Sequence, residues 1–510
     1  MERIQAVMMV SMPLPSLRIL LAAAVLALCS CSSSRIAMEE RKFPVEDLRK
    51  DFTLFRNILE ESHPSLYWFT PKDSMDYYFN SGYASLKDSL TEREFRTLLT
   101  YTATQIRCGH TSVRYSKKFS SYLDTAKNLM FPLSLTFYGD SAMVRGNLLR
   151  NVPLQRGTAV HSIDGKSIPE IRDSLFQFIP ADGYAISGKY QGLSNSGNFS
   201  GWYRNAYGLR DSFSIVYTDS ANNMVSGTFP WFDPAKDSLY IVRQRSDKKL
   251  SRRERRSQRR MIARNVQLDT ALSSAYMTLR TFGRGNSLPS FFRKTFRYLD
   301  KADVRNLVVD IRGNGGGDAG NAVMLLRYLA DKPFLIADSL YAIKKSSQYR
   351  KHIRMQHLYW MLMTVVTRRQ ADGNYHFGYF ERKVFKPKRK HHFDGDIYIL
   401  TGGNSFSAAS IFAGKLKGQS NVLIVGEETG GGAYGNTAWM IPEVTLPNTG
   451  LRFRLPKFRL VMNAALVAGG RGVLPDLEIK TDGEMIRSGL DLRPGLVRRL
   501  IELKQNASGK

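Results

Sequence analysis

Cysteine is scarce in this chain. Of three among 510 residues, Cys29 and Cys31 sit near the N-terminus, and Cys108 is the one internal thiol. An internal disulfide framework is thereby excluded, and the fold has to rest on its core. Acidic residues are also few. Asp and Glu number 45 against 74 Lys and Arg, a net charge of +29 that brings anionic surfaces and nucleic acids into question as partners. The N-terminal apolar stretch, Ile19 to Leu28, falls short of the roughly 20 residues that a membrane-spanning helix needs. What the chain has in plenty is core-forming sequence, 43% hydrophobic and 11% aromatic. That rules out disorder of the whole and suffices for two or three domains.

The short apolar run follows Arg18 and ends in Leu28-Cys29-Ser30-Cys31, the layout of a secretory signal. Its end resembles the bacterial lipobox, a Leu three residues before a Cys with a small residue just ahead of that Cys. The resemblance implies that residues 1–30 are removed and that the Cys31 thiol is diacylated. Residues 31–43 then tether the protein to a membrane of the bacterial cell envelope, on the periplasmic face or the outer surface of the outer membrane.

Much of the positive charge is local. From Arg243 to Arg264 the chain carries eleven Lys or Arg against Asp247 and Glu254. The run lacks aromatic residues on which bases stack, and an envelope address gives nucleic acid no part as a partner. It reads as a solvated basic linker over residues 241–265, with contact to anionic headgroups as the other reading. Arg382 to Lys390 is a second basic patch, read as a loop or hairpin.

Three units flank and follow that linker. Residues 44–126 read as a helical domain: apolar residues recur at three and four spacing in Asp47 to Leu59 and Glu92 to Ile106, and Thr91 and Glu94 have capping-box spacing. This unit closes on Cys108-Gly109-His110-Thr111. Residues 127–240 turn to short strands and turns, among them Arg156-Gly157 and Asp164-Gly165. The stretch from Gly157 to Ile171 resembles the end of a PDZ-type module. Residues 266–510 alternate strand and helix, which predicts an α/β domain with a largely parallel sheet, its ligand site at the carboxyl ends of the strands.

Two glycine-rich turns lie at such strand ends. The first, Asp310-Ile311-Arg312-Gly313-Asn314-Gly315-Gly316-Gly317-Asp318, frees the backbone to aim amides at one spot, as an oxyanion requires. It lacks the lysine and the spacing of the phosphate-binding fingerprints. The second, Thr401-Gly402-Gly403-Asn404-Ser405-Phe406-Ser407-Ala408-Ala409-Ser410, sets a serine where a buried strand meets a helix, so that a developing negative charge faces the helix N-terminus. As isolated serines, Ser405 and Ser407 also fit plain helix caps.

The order of these parts resembles the C-terminal processing and tricorn-type serine peptidases over most of the mature chain. Carrying the resemblance are His63-Pro64, Gly109-His110-Thr111, the PDZ-like piece, Asp310-x-Arg312-x-Asn314-x-Gly316-Gly317, Ser407-Ala408-Ala409, Gly426-Glu427-Glu428-Thr429-Gly430 and Arg471-Gly472-Val473-Leu474-Pro475-Asp476. It implies a ClpP/crotonase-like α/β core with an N-terminal helical domain and a PDZ-like β-rich module. It also implies Ser407 as nucleophile, with Ser405 the lesser neighbour, and an oxyanion hole from the amides of Ala408 and of Gly316 or Gly317.

One branch of the family uses a lysine base, at the position Gly432 fills here; the other takes its base from the Gly-His turn, which implies His110, a ring suited to accept a hydroxyl proton. His63 fits a structural turn, and His391-His392 lacks metal-ligand spacing; no metal or cofactor is expected. The tricorn-like orienting Glu is replaced by Gly469, with Glu427, Glu428 and Asp318 as substitutes. The function implied is an envelope-anchored serine endopeptidase that takes an extended peptide or protein segment by strand addition. The alternative is a catalytically inactive peptide-binding scaffold of the same fold.

Overall fold

The computed structural model describes residues 38, 40–125, 129–195, 197–208, 210–237 and 250–507. The signal, Cys31 and most of the tether lie outside the described residues. Among those described, no helix is long and apolar enough to cross a membrane.

The C-terminal half forms a six-stranded sheet in the order β1 (Arg264–Asp269), β2 (Ser274–Leu279), β3 (Asn306–Asp310), β4 (Asp396–Thr401), β5 (Val422–Gly426) and β6 (Leu477–Glu478). Only the β1–β2 pairing is antiparallel; the rest are parallel. A parallel sheet covered on both faces needs strands that are apolar throughout, and β3 is buried at all its residues. Leu307 and Val309 point into a cluster with Phe292 and Phe296 of α1 (Leu288–Lys301), Leu325 of α2 (Ala319–Leu329) and Phe412 of α3 (Ala408–Leu416). Val308 faces the other side, against Val497 and Ile501 of the helix Leu492–Ala507. The expected α/β architecture is therefore present, with both glycine-rich turns at the carboxyl edge, after β3 and β4. A second, antiparallel sheet packs beside it, with Gly435–Ala438, Phe458–Val461 and Ser339–Ala342 as neighbours.

The helical unit comprises Val45–Ser62, Lys72–Ala84 and Glu92–Thr104, the last opened by a capping box in which Thr91 and Glu94 serve each other's backbone. It does not close its own core. Phe52, Phe55, Phe79 and Phe95 pack with Val444, Leu446 and Phe453, which belong to the hairpin Glu443–Thr445/Arg452–Arg454 of the C-terminal half. That hairpin also accepts the strand Val113–Arg114. The Gly109-His110 turn just ahead of this strand is thus delivered to the core.

The β-rich region pairs Leu133–Tyr138, Ser141–Asn147, Ala159–Ile163, Ser212–Thr218 and Met224–Pro230 in that order, all antiparallel. Helix Ser187–Ser194 lies along the first strand, and Ser194 Oγ accepts the Phe137 N–H at 2.9 Å. That edge is occupied, which leaves Met224–Pro230 as the edge without a partner strand among the described residues. Of the basic run, Arg252–Ala263 is an exposed helix with its own capping box at Ser251 and Glu254. β1 begins at Arg264, inside the stretch read from sequence as linker.

Candidate active site

Ser407 is the N-cap of α3, with φ 56° and ψ −119°. An L-residue is rarely found there, and holding it costs on the order of 1–3 kcal/mol. A sharp, strained strand-to-helix turn of this kind lifts a serine hydroxyl clear of its sheet, as in nucleophile elbows. The two candidate serines part here. Ser405 is fully buried, its hydroxyl donating to the Ile311 carbonyl at 2.8 Å and accepting the Gly402 N–H. Ser407 is half-buried, and its hydroxyl makes no hydrogen bond among the described residues.

The β3 turn presses directly on this one. A Cβ on Gly316, whose φ is 92°, would lie 2.7 Å from the Phe406 carbonyl oxygen and 2.8 Å from Ser407 Cβ, so only glycine fits. The Gly316 N–H, one of the expected oxyanion donors, is engaged with Asn314 Oδ1 at 2.9 Å. Gly317 pairs with Phe282 through its flanking groups, Gly316 O and Asp318 N, so its own N–H points the other way. Among the described residues, neither that N–H nor the Ala408 N–H at the start of α3 has an acceptor. Two amides therefore remain for a developing oxyanion.

The His110 ring is buried and packs tilted against Phe406, with ring centroids 4.7 Å apart. It makes no hydrogen bond to Ser407 among the described residues, and its Nδ1 is buried without a partner. Burial, aided by the Arg454 guanidinium, lowers the pKa to about 3. The turn is held from behind by His63, whose Nδ1 accepts the Ser65 N–H while its Nε2 meets Thr111 Oγ1 at 2.8 Å.

The three acids offered by sequence as partners for His110 are engaged elsewhere. Glu427 accepts from Thr481, Arg493 and Gln191, and Glu428 from Arg471 and Gly472. Asp318 caps α2 through the Asn321 N–H and pairs with Arg284.

The acid that does stand by the histidine is Asp182, which sequence reasoning passed over because it lies in a loop of the β-rich region, 72 residues from the turn it faces. One carboxylate oxygen accepts the Gly109 N–H at 2.7 Å, and the Gly432 backbone N–H is a further donor. Its Oδ2 is buried and unpaired. A carboxylate oxygen of Asp182, a ring nitrogen of His110 and Cys108 Sγ all lie within 4.8 Å of one another, which among the described residues is the set of His, Cys and acid ligands close enough to hold one ion. Burial raises Asp182 to about 7 and the Cys108 thiol to about 11. A side chain at Gly432 would meet the Tyr434 ring at 2.5 Å, so a lysine base has no room here.

The cleft beside these turns, about 890 Å³, runs between the β-rich module and the core and is lined by Thr136, Gln191, Gly313 and Asn404 among others. Ser407 and His110 are not on its wall; it ends at the two glycine-rich turns.

An α/β core that offers a serine on a strained turn beside two unengaged amides has the form of a serine hydrolase. Residues 273–479 match the model of peptidase family S41; the match covers less than half of the chain and marks its core as that of a serine peptidase. No curated protein matches it in sequence. Its fold is similar to that of mature CPAF complexed with lactacystin, at a TM-score of 0.62 and 12% identity, covering 91% of this chain and 99% of that one. It is also similar to mature CPAF, at 0.59 and 13%, covering 87% and 94%. At such identities the likeness is one of fold.

Proposed function

We propose that the chain is an envelope-anchored serine endopeptidase in which Ser407 is the nucleophile and His110 its base. The observation that carries this reading is the strained Ser407 turn beside the unengaged amides of Ala408 and Gly317. Ser407 Oγ attacks the scissile carbonyl carbon as its proton passes to His110 Nε2, and the carbonyl oxygen, now anionic, takes hydrogen bonds from the two amides. The imidazolium then gives that proton to the departing amine as the C–N bond breaks, which leaves an acyl-Ser407 ester. Water, deprotonated by the same ring, releases the acid. Peptide or protein segments are the substrates that a family S41 peptidase takes, and the cleft between module and core gives an extended segment a path to the turn. Anchoring through a diacylated Cys31 completes the reading.

A fluorophosphonate probe tests the chemistry: it labels Ser407 in the folded protein, and Ser407→Ala abolishes both labelling and peptide turnover. Turnover that survives Ser407→Ala sinks the mechanism. Folded protein that takes no label is instead a peptide-binding scaffold of this fold. Detergent-phase partitioning of the full chain, lost in Cys31→Ala, tests the anchor.

A further inference from the structure

His110 as a base meets a physical difficulty. Every proton it takes makes a cation in a buried site, and burial together with Arg454 already opposes that cation. Ionised groups in such surroundings persist only when a counter-charge or hydrogen bond compensates them. Around the ring stand Arg454, which repels it, the Phe406 ring, the Cys108 thiol, held protonated by burial, and Asp182. Among the described residues, only Asp182 supplies negative charge there.

Asp182 is built into the turn. Its loop is fixed to the residue before Cys108 by the Gly183 N–H on the Arg107 carbonyl, and to the core by the Tyr184 N–H on the Gly470 carbonyl. One oxygen holds the Gly109 N–H, so the carboxylate travels with the turn that carries His110. The other oxygen is buried without a donor, and His110 Nδ1 is buried without a partner. Buried polar atoms are rarely left so. A ring nitrogen of His110 and a carboxylate oxygen of Asp182 lie within 4.8 Å of each other, so the two unpartnered atoms sit on neighbouring side chains and can answer each other.

Resting on the reading of His110 as base, we propose that Asp182 is its positioning residue, with Oδ2 accepting the Nδ1–H bond and so turning Nε2 toward Ser407. The triad is then assembled from three parts of the chain: nucleophile from the core, base from the helical unit, acid from the β-rich region. Asp182 stands where the glycine at position 469, exposed and without a carboxylate, leaves an acid to be supplied. No net proton leaves the pair: Nδ1 keeps its hydrogen, Nε2 gains one from Ser407 and later passes it to the leaving amine, and Asp182 stays a carboxylate throughout the cycle. Because Asp182 is raised to about 7, the acid limb of kcat/KM belongs to the pair, with Arg454, Cys108 and Tyr434 as the other ionisable groups facing it.

Asp182→Asn is the discriminating variant. Its amide oxygen still accepts the Gly109 N–H, so the turn is kept, but its NH₂ faces Nδ1 and favours the wrong tautomer. The expected result is a kcat loss of about 10³–10⁴-fold with KM little changed, a displaced acid limb, and fluorophosphonate labelling of Ser407 slowed in proportion. An Asp182→Asn protein that labels at the wild-type rate with an unmoved acid limb overturns the proposal and leaves the Ser407 reading standing. Histidine ¹⁵N spectra of the wild-type chain supply the second measurement, independent of turnover and of whether the variant folds. His110, assigned by its loss in His110→Asn, is expected as the Nδ1–H tautomer; an Nε2–H tautomer overturns the proposal even if Ser407 labels.

Discussion

The pair of serines two residues apart illustrates what a residue's type leaves open and its surroundings decide. Ser405 and Ser407 carry the same hydroxyl, yet one is consumed by a carbonyl beneath the sheet and the other stands on a strained cap. Histidine behaves likewise. His63 and His110 are both buried and both lowered to about 3, one satisfied on each ring nitrogen and the other open.

Their burial has a measurable consequence for stability. Both are neutral when folded, whereas in the unfolded chain each titrates near 6.5, so as pH falls below that value the unfolded state takes two protons that the folded state refuses. Asp182, raised to about 7 from 3.8, works the other way, holding one proton in the folded state between those values. The balance for these three groups is one proton, so stability should fall by about 1.4 kcal/mol per pH unit on acidification from 6.5 to 4.5. His63→Gln retains a donor and an acceptor and should remove most of that slope. Urea unfolding at several pH values measures both; an undiminished slope in the variant contradicts the assignment.

At the scale of elements, strong local signals in the sequence became structure almost unchanged. Thr91 and Glu94 form the capping box their spacing predicts, β3 and β4 are the buried strands that their apolar runs predict, and the glycine-rich turns sit at the strand ends. These features depend on neighbours within a few residues. What escaped was non-local. Nothing near Asp182 in sequence marks it, because its significance comes from two orphaned atoms brought together by separate units. Glu427, Glu428 and Asp318 looked eligible for the opposite reason: they lie near the site along the chain, and only the fold discloses the arginines, amides and helix start that occupy them. The covered edge of the β-rich sheet belongs here too. Nothing in the residues of Leu133–Tyr138 announces the helix that takes its Phe137 N–H.

For the molecule as a whole, a single free, buried cysteine among the described residues places the burden of assembly on the contacts between units. The joint that bears most on the site runs through Asp51 of the helix Val45–Ser62. Fully buried, it accepts from the backbone and side chain of both Asn448 and Thr449. Those two residues lie in the turn of the hairpin whose second strand, at Arg452 and Phe453, pairs with Val113–Arg114, a few residues beyond His110. The carboxylate therefore ties the helical unit to the strand that follows His110. Asp51→Ala strands buried donors on Thr449, and bonds to a charged acceptor contribute about 1.5–3 kcal/mol each, so a loss of about 3 kcal/mol is expected. The catalytic effect should exceed what instability explains. At temperatures where the variant stays folded, a looser hairpin lets His110 drift from Ser407, and fluorophosphonate labelling should slow. Unfolding curves and labelling rates taken on the same protein separate the two, and a variant that melts early yet labels at the wild-type rate would mean that the site is positioned by the core alone.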